Sequence, residues 1–468
     1  MKKACDNRFF TTPTFARDAP RDDICVSTIL MTNTPAHPSS LPRPASKPVP
    51  HISTIPQVAA GPRIPARRLL RKVLLVLAGI AIGALGVRFF PHKESSPVPA
   101  SELGNPVRPG PWGELHTVPF VITAPDELLP VRAIESGGTH WLFKNSTVSE
   151  ISHLLEAADM PAAQREALLA PAVAQVKGID LELAPTPDMV SALPEKAREA
   201  LYRRLAQFRE NSSAFFFIHK DTLDTRFDES GVSADTLALF HRFSCKHGDY
   251  LVFGGLPAML AQLPSYEEKV RFMKALTRQK TMLIRVRLTK DSDVRALTDY
   301  WGKGVWAPNI RTILEGVERV PGSTFMSIIP LLPPLPASQI YFYPIVQSNP
   351  LNGPPPVHDC HWTSLNFFRD TADTRAVTPE TFTEELAANY FPITGDPRYG
   401  DVLILATPSG EILHSAVFIA DEIVFTKNGS TAIYPWMFST IPDLLMQYSF
   451  HALDGQQLTL RYFRSKSL

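Results

Sequence analysis

The chain has 468 residues, 44% of them hydrophobic and 20% charged, and 47 Lys plus Arg stand against 46 Asp plus Glu for a formal net charge of +1. Such a length holds about two or three domains with sizeable cores, and the balanced charge offers no global field for nucleic acid. The four cysteines, Cys5, Cys25, Cys245 and Cys360, show no CxxC pair and no regular spacing, so neither a disulfide framework nor a zinc ribbon is indicated.

Residues 1–68 are rich in Pro and Ser, from Pro35 and Pro38 to Pro62 and Pro65, and carry too little apolar surface to fold alone. Translation can begin at Met1 or at Met31. Residues 69–90 change character: Val73 to Val87 is almost wholly apolar, flanked by Arg71, Lys72 and Arg88. As a helix this stretch spans a hydrocarbon core roughly 30 Å thick. Twelve Lys or Arg precede residue 73 against four acids, Asp6, Asp18, Asp22 and Asp23. The positive-inside rule then keeps the N-terminus in the cytoplasm and sends everything after residue 90 outside, as a single-pass signal anchor in the lipid bilayer of a bacterial inner membrane. The alternative is a cleaved signal peptide. Residues 91–112, with Pro91, Pro97, Pro99, Pro106, Pro109 and Pro111, form a stiff linker.

Residues 113–335 are expected to be globular and mostly helical. Thr147-Val148-Ser149-Glu150 has the pattern of a capping box. Thr186-Pro187-Asp188, Leu193-Pro194-Glu195 and Ser265-Tyr266-Glu267-Glu268 mark further starts. Phe215–Ile218 and Met282–Leu288 read as strands or as buried helix. His241 and Cys245 stand i, i+4 with His247 close by, but a fourth metal ligand is missing, and a helix face with one buried thiol is the simpler reading. Gly137-Gly138 and Gly302-Lys303-Gly304 lack the context of phosphate or dinucleotide loops. The region carries no recognisable active site. Binding of envelope protein partners, gating or scaffolding is its neutral role.

A second proline cluster, Pro330 to Pro336, places a domain boundary near 336. In 336–468, Asp359 is a plausible cap for a helix opened by Cys360, with Leu365 and Phe368 as its apolar stripe. A thiol at a helix start is drawn towards the thiolate. Tyr399-Gly400-Asp401 turns into the buried strand Val402–Leu405. His414 lies on the next strand, Asp421 suits a tight hairpin turn, and the return strand puts Val424, Thr426 and Asn428 on one face. Tyr434–Phe438 reads as loop with a short helix from Ile441, and Leu458–Phe463 as a closing strand. The cluster of His358, Cys360 and His361 suggests no metal, since adjacent side chains diverge.

This order, Cys on a helix start, Gly-Asp before a strand, His on a hairpin and a polar residue on the return strand, resembles the NlpC superfamily of papain-like cysteine peptidases and amidases. The resemblance covers the last quarter of the chain. It implies an α+β fold of helices packed on an antiparallel sheet. It also implies a cofactor-free and metal-free hydrolase of amide bonds, with Cys360 as nucleophile, His414 as base and Asn428 orienting the imidazole; Thr426 and Lys427 are the alternatives to Asn428. Tyr341 and Tyr343 are candidates for the oxyanion side. His361 and Trp362 depart from the small Ser-Gly pair usual after Asp-Cys and would narrow the cleft. The expected substrate is a peptide or the peptidoglycan stem. An inactive peptide-binding domain and a thiol acyltransferase are the alternative functions.

Overall fold

The computed structural model describes residues 104–171, 173–174, 180–208, 210–211, 215–304, 307–344, 358–373, 375, 377–451 and 457–468. The apolar segment 69–90 and the proline-rich residues before it lie outside the described residues, so the expected anchor is not visible here. No helix among the described residues is long and apolar enough to cross a membrane.

The fold is α+β with antiparallel sheets. In chain order the strands are β1 (Asn105–Pro106), β2 (Glu114–Ile122), β3 (Trp141–Phe143), β4 (Val173–Ala174), β5 (Leu181–Leu183), β6 (Phe215–His219), β7 (Ser244–His247), β8 (Tyr250–Gly254), β9 (Gln279–Leu288), β10 (Thr324–Ser327), β11 (Tyr390–Ile393), β12 (Val402–Ala406), β13 (Ile412–Ala420), β14 (Ile423–Lys427), β15 (Trp436–Thr440) and β16 (Thr459–Ser465). The helices that matter below are α1 (Val148–Ala157), α2 (Glu195–Leu205), α3 (Tyr266–Thr277), α4 (Cys360–Asn366), α5 (Pro379–Asn389) and α6 (Ile441–Tyr448).

Several sequence-encoded starts are where the residue types demand them. Thr147 accepts from the Glu150 amide and the Glu150 carboxylate accepts from the Thr147 amide, a complete capping box on α1. Ser265 caps α3 more simply, its hydroxyl accepting from the Glu268 amide. Both ambiguous apolar runs are strands: Phe215–Ile218 is in β6 and Met282–Leu288 in β9. The helices of the middle region are accompanied by three antiparallel sheets, β1-β2-β9-β10, β3-β5-β4 and β6-β8-β7. The helix carrying His241 stops at Arg242 and Cys245 sits in β7, so the two do not share a helix face. Burial among apolar neighbours pushes the Cys245 thiol up to about 12.

The stretch expected to be a pure linker is partly built into the fold. Asn105 and Pro106 pair with β2, and Trp112 is buried. The boundary expected near 336 falls inside a continuous core. Trp112, Val286, Trp301, Ile340, Trp362, Phe425 and Phe438 belong to one apolar cluster, and the described residues form one compact unit. The Tyr341 hydroxyl donates to Met282 O at 2.7 Å, and the Thr281 hydroxyl donates to Phe438 O at 2.8 Å.

The C-terminal sheet has the order β11-β16-β12-β13-β14-β15. Tyr434–Phe438 contributes a strand, β15, rather than a loop, because Trp436 pairs with Lys427 and Phe438 with Phe425. The last strand, β16, runs between β11 and β12 instead of along an edge. On β13 the alternation of side chains decides everything that follows. Val417 and Ile419 pack with Trp362 and Phe367 on the α4 side. Ala416 packs with Val424 and Leu444 on the α6 side.

Candidate active site

Asp359 caps α4, its carboxylate accepting from the Trp362 amide at 2.8 Å. This fixes Cys360 at the start of the helix, 7% exposed. The amide N–H groups of Ser415, His361 and Cys360 itself are directed at the sulfur and favour its thiolate. Burial opposes them and is the largest influence, with the Asp359 carboxylate next, so the thiol is pushed up to about 12. The resting group is therefore a neutral thiol, not the thiolate expected from a helix start alone.

The imidazole nitrogen nearest the sulfur is that of the next residue. His361 Nδ1 is 3.8 Å from Cys360 Sγ and 3.0 Å from Ser415 Oγ, and its ring stacks on Phe382 of α5 with centroids 4.2 Å apart. His361 is thus held under the sheet beside the sulfur. Trp362 points away: its Nε1 donates to Asp373 O at 2.6 Å and its ring stacks on His358. It is a core residue and does not narrow a cleft.

His414 is fully buried and lies on the α6 face of β13, where it stacks on Tyr448 with centroids 4.6 Å apart. Its Nε2 is 2.8 Å from Thr426 Oγ1. Thr426 also has Ser415 O at 3.4 Å. With the hydroxyl hydrogen given to that carbonyl, Oγ1 accepts from Nε2–H, and the ring keeps a lone pair on Nδ1. That Nδ1 is buried and has no hydrogen-bond partner. Burial, with His361 adding, pushes the imidazole down to about 3. His414 and the sulfur are neighbours through the backbone, since the amide that meets Sγ belongs to Ser415, the next residue. No hydrogen bond joins the two side chains.

Asn428 does not orient His414. The β13–β14 ladder is continuous only as far as Val417↔Phe425, after a register shift between Phe418 and Ala420, and β14 ends at Lys427. Extended, that register sets Asn428 opposite His414, but the strands part before reaching it. Asn428 instead donates to Gln279 Oε1 at 3.2 Å and Gln447 Oε1 at 3.1 Å. The imidazole takes the diagonal neighbour on its own face, Thr426. The two tyrosines proposed for the oxyanion side are elsewhere. The Tyr341 hydroxyl is taken by Met282 O, and Tyr343 packs against the core of the preceding region.

Sequence reasoning missed the Ser415 amide and the Tyr448 ring, because both depend on which strands and helices meet. A cavity of about 940 Å³ opens at this site. Cys360, His361 and Tyr448 line it together with Tyr202, Phe215 and Met273; His414 takes no part of the wall. Gly400-Asp401 is structural. The Asp401 carboxylate accepts from Arg464 at 2.8 and 2.7 Å and from the Arg398 amide at 2.7 Å, tying the turn to β16. Among the described residues no cluster of three His, Cys, Asp or Glu side chains is arranged to hold a metal ion. No family model, curated protein or solved structure matches the chain.

Proposed function

We propose that the chain is a membrane-anchored, extracytoplasmic cysteine hydrolase of amide bonds, acting on peptides such as the cell-wall stem. Cys360 is the nucleophile, His414 the base and Thr426 the orienting residue. The observation that carries this is the half-satisfied imidazole: His414 holds Thr426 through Nε2 while the buried Nδ1, one residue from the amide that meets the Cys360 sulfur, has no partner. A fully buried, unpaired ring nitrogen is costly and is the group a thiol proton needs. In the reaction the His414 imidazole swings to the Cys360 sulfur, which it does not touch at rest; the thiol proton then passes to Nδ1 as the sulfur adds to the amide carbonyl carbon. The imidazolium returns the proton to the leaving amine as the C–N bond breaks. Water then resolves the thioester, releasing the acid and restoring the thiol.

The test is covalent. Treat the full chain with p-nitrophenyl acetate and follow nitrophenol release and protein mass. One acetyl group on Cys360 is expected, formed roughly 10²-fold more slowly in His414→Ala. A wild-type Cys360 that stays unmodified, or one acylated equally fast without His414, would refute the hydrolase. The competing reading is a peptide-binding envelope protein built on the same fold. It draws support from the depth at which thiol and imidazole are buried, and an unmodified Cys360 is its expected result.

A further inference from the structure

Lys427 is a buried, ionisable residue near the sulfur whose chemistry the hydrolase reading leaves unused. It is fully buried. Its Nζ donates to Gly429 O at 2.8 Å and Thr431 O at 2.9 Å, and among the described residues it makes no ion pair with a carboxylate. Its position follows from register. Phe425 opposes Val417 and packs with it on the α4 side, and Lys427, two residues further along β14, keeps that face by the alternation of the strand. Ser415 faces α4, since its hydroxyl meets His361 and Ser364. On the other side Lys427 pairs with Trp436, whose Nε1 donates to Thr363 of α4 at 3.0 Å. Lys427 therefore rises from the sheet face on which α4, the helix that carries Cys360, is laid.

We propose that Lys427 is a positioning residue that supplies the positive charge offsetting the Cys360 sulfur when it gives up its proton, acting from the helix face of the sheet where carbonyls, and no carboxylate, hold its ammonium. This rests on the hydrolase reading. A buried cation without an adjacent anion is unfavourable, and the anions that reach this one electrostatically are the Asp359 carboxylate and the Cys360 thiolate. Asp359 disfavours ionisation of the thiol; Lys427 counters it. Burial holds the Lys427 ammonium down to about 8, so its charge is lost within the working range. The other titratable groups around the sulfur are His358 and Asp359 just before α4, His361 from α4, His414 from the far face of β13, Tyr448 from α6 and Glu411 at the cavity wall.

The acetylation assay, run from pH 6 to pH 10, tests this. In wild type the rate should hold from pH 6 to near pH 8, since the imidazole is neutral throughout, and fall above pH 8 as the ammonium deprotonates. Lys427→Met should be acetylated roughly tenfold more slowly at pH 7. Lys427→Arg, which stays charged, should recover the rate and lose the break near pH 8. Thermal melting of each variant separates folding from reactivity. A wild-type profile without a break near pH 8, or a folded Lys427→Met variant as fast as wild type, would overturn the role of Lys427 and leave the hydrolase standing. A wild-type Cys360 that takes up no acetyl group would remove both.

Discussion

Around the Cys360 sulfur two influences oppose each other. Three amide N–H groups favour the charged form, and burial disfavours it more strongly. In the proposed reaction proton transfer to His414 accompanies the attack, and the two histidines nearby are separable by mutation. His414→Ala should slow acylation roughly 10²-fold, while His361→Ala should slow it less, by loosening Ser415; the reverse order would overturn His414 as the base. Thr426→Val should cost about tenfold, because the imidazole loses the acceptor that fixes its tautomer. His414 also predicts a stability profile. Unfolded, the ring takes up a proton near 6.5, whereas folded it does so only near 3. Between those values the unfolded chain binds more protons. Stability present above pH 6.5 is thus lost as the pH falls towards 3, by up to about 1.4 kcal/mol per pH unit. His358 is shifted in the same direction by burial. Urea melts at pH 7 and pH 4.5 should differ less in His414→Gln than in wild type, and an equal difference would count against the buried neutral ring.

Among the elements, the turn before β12 is the most constrained. Gly400 has φ +91°, and a Cβ there would stand 2.2 Å from the Phe368 ring. Gly400→Ala should destabilise by about 1–3 kcal/mol from backbone strain alone, with the ring clash in addition. The neighbouring Asp401 is 2% exposed and gives both carboxylate oxygens to Arg464. Arg464→Ala strands that charge and should cost about 3 kcal/mol, measured by chemical unfolding; a loss below about 1 kcal/mol would mean that water reaches Asp401. The Gly-Asp pair was visible in the sequence as a turn. Its partner was not, because Arg464 arrives from β16, sixty-three residues later.

At the scale of the molecule, one core serves both the region before 336 and the sheet after it. Residues 336–468 expressed alone would expose the faces of Trp362, Phe425 and Phe438 that pack with Val286, Ile284 and Trp301. That fragment should aggregate or stay unfolded, while 104–468 should melt in a single cooperative transition. A soluble, cooperatively folding 336–468 would show that the shared core is dispensable. The anchor over 69–90 is tested separately, by fractionation with and without detergent; a protein released without detergent would count against it.

What the sequence determined by itself is what depends on near neighbours. The capping box at Thr147, the cap at Asp359, the turns at Gly400 and Asp421 and the alternation along β13 each need only a few adjacent residues. It also carries the expectation that Cys360 and His414 form the chemistry-bearing pair, which the acetylation assay tests. Only the tertiary structure decided that Thr426, not Asn428, meets the imidazole, that His361 touches the sulfur, and that Tyr341, Tyr343 and Trp362 belong to the core. A ladder that opens after Val417↔Phe425, and a helix laid across one face of it, are set by packing between segments far apart in the chain, and no local pattern encodes where two strands will part.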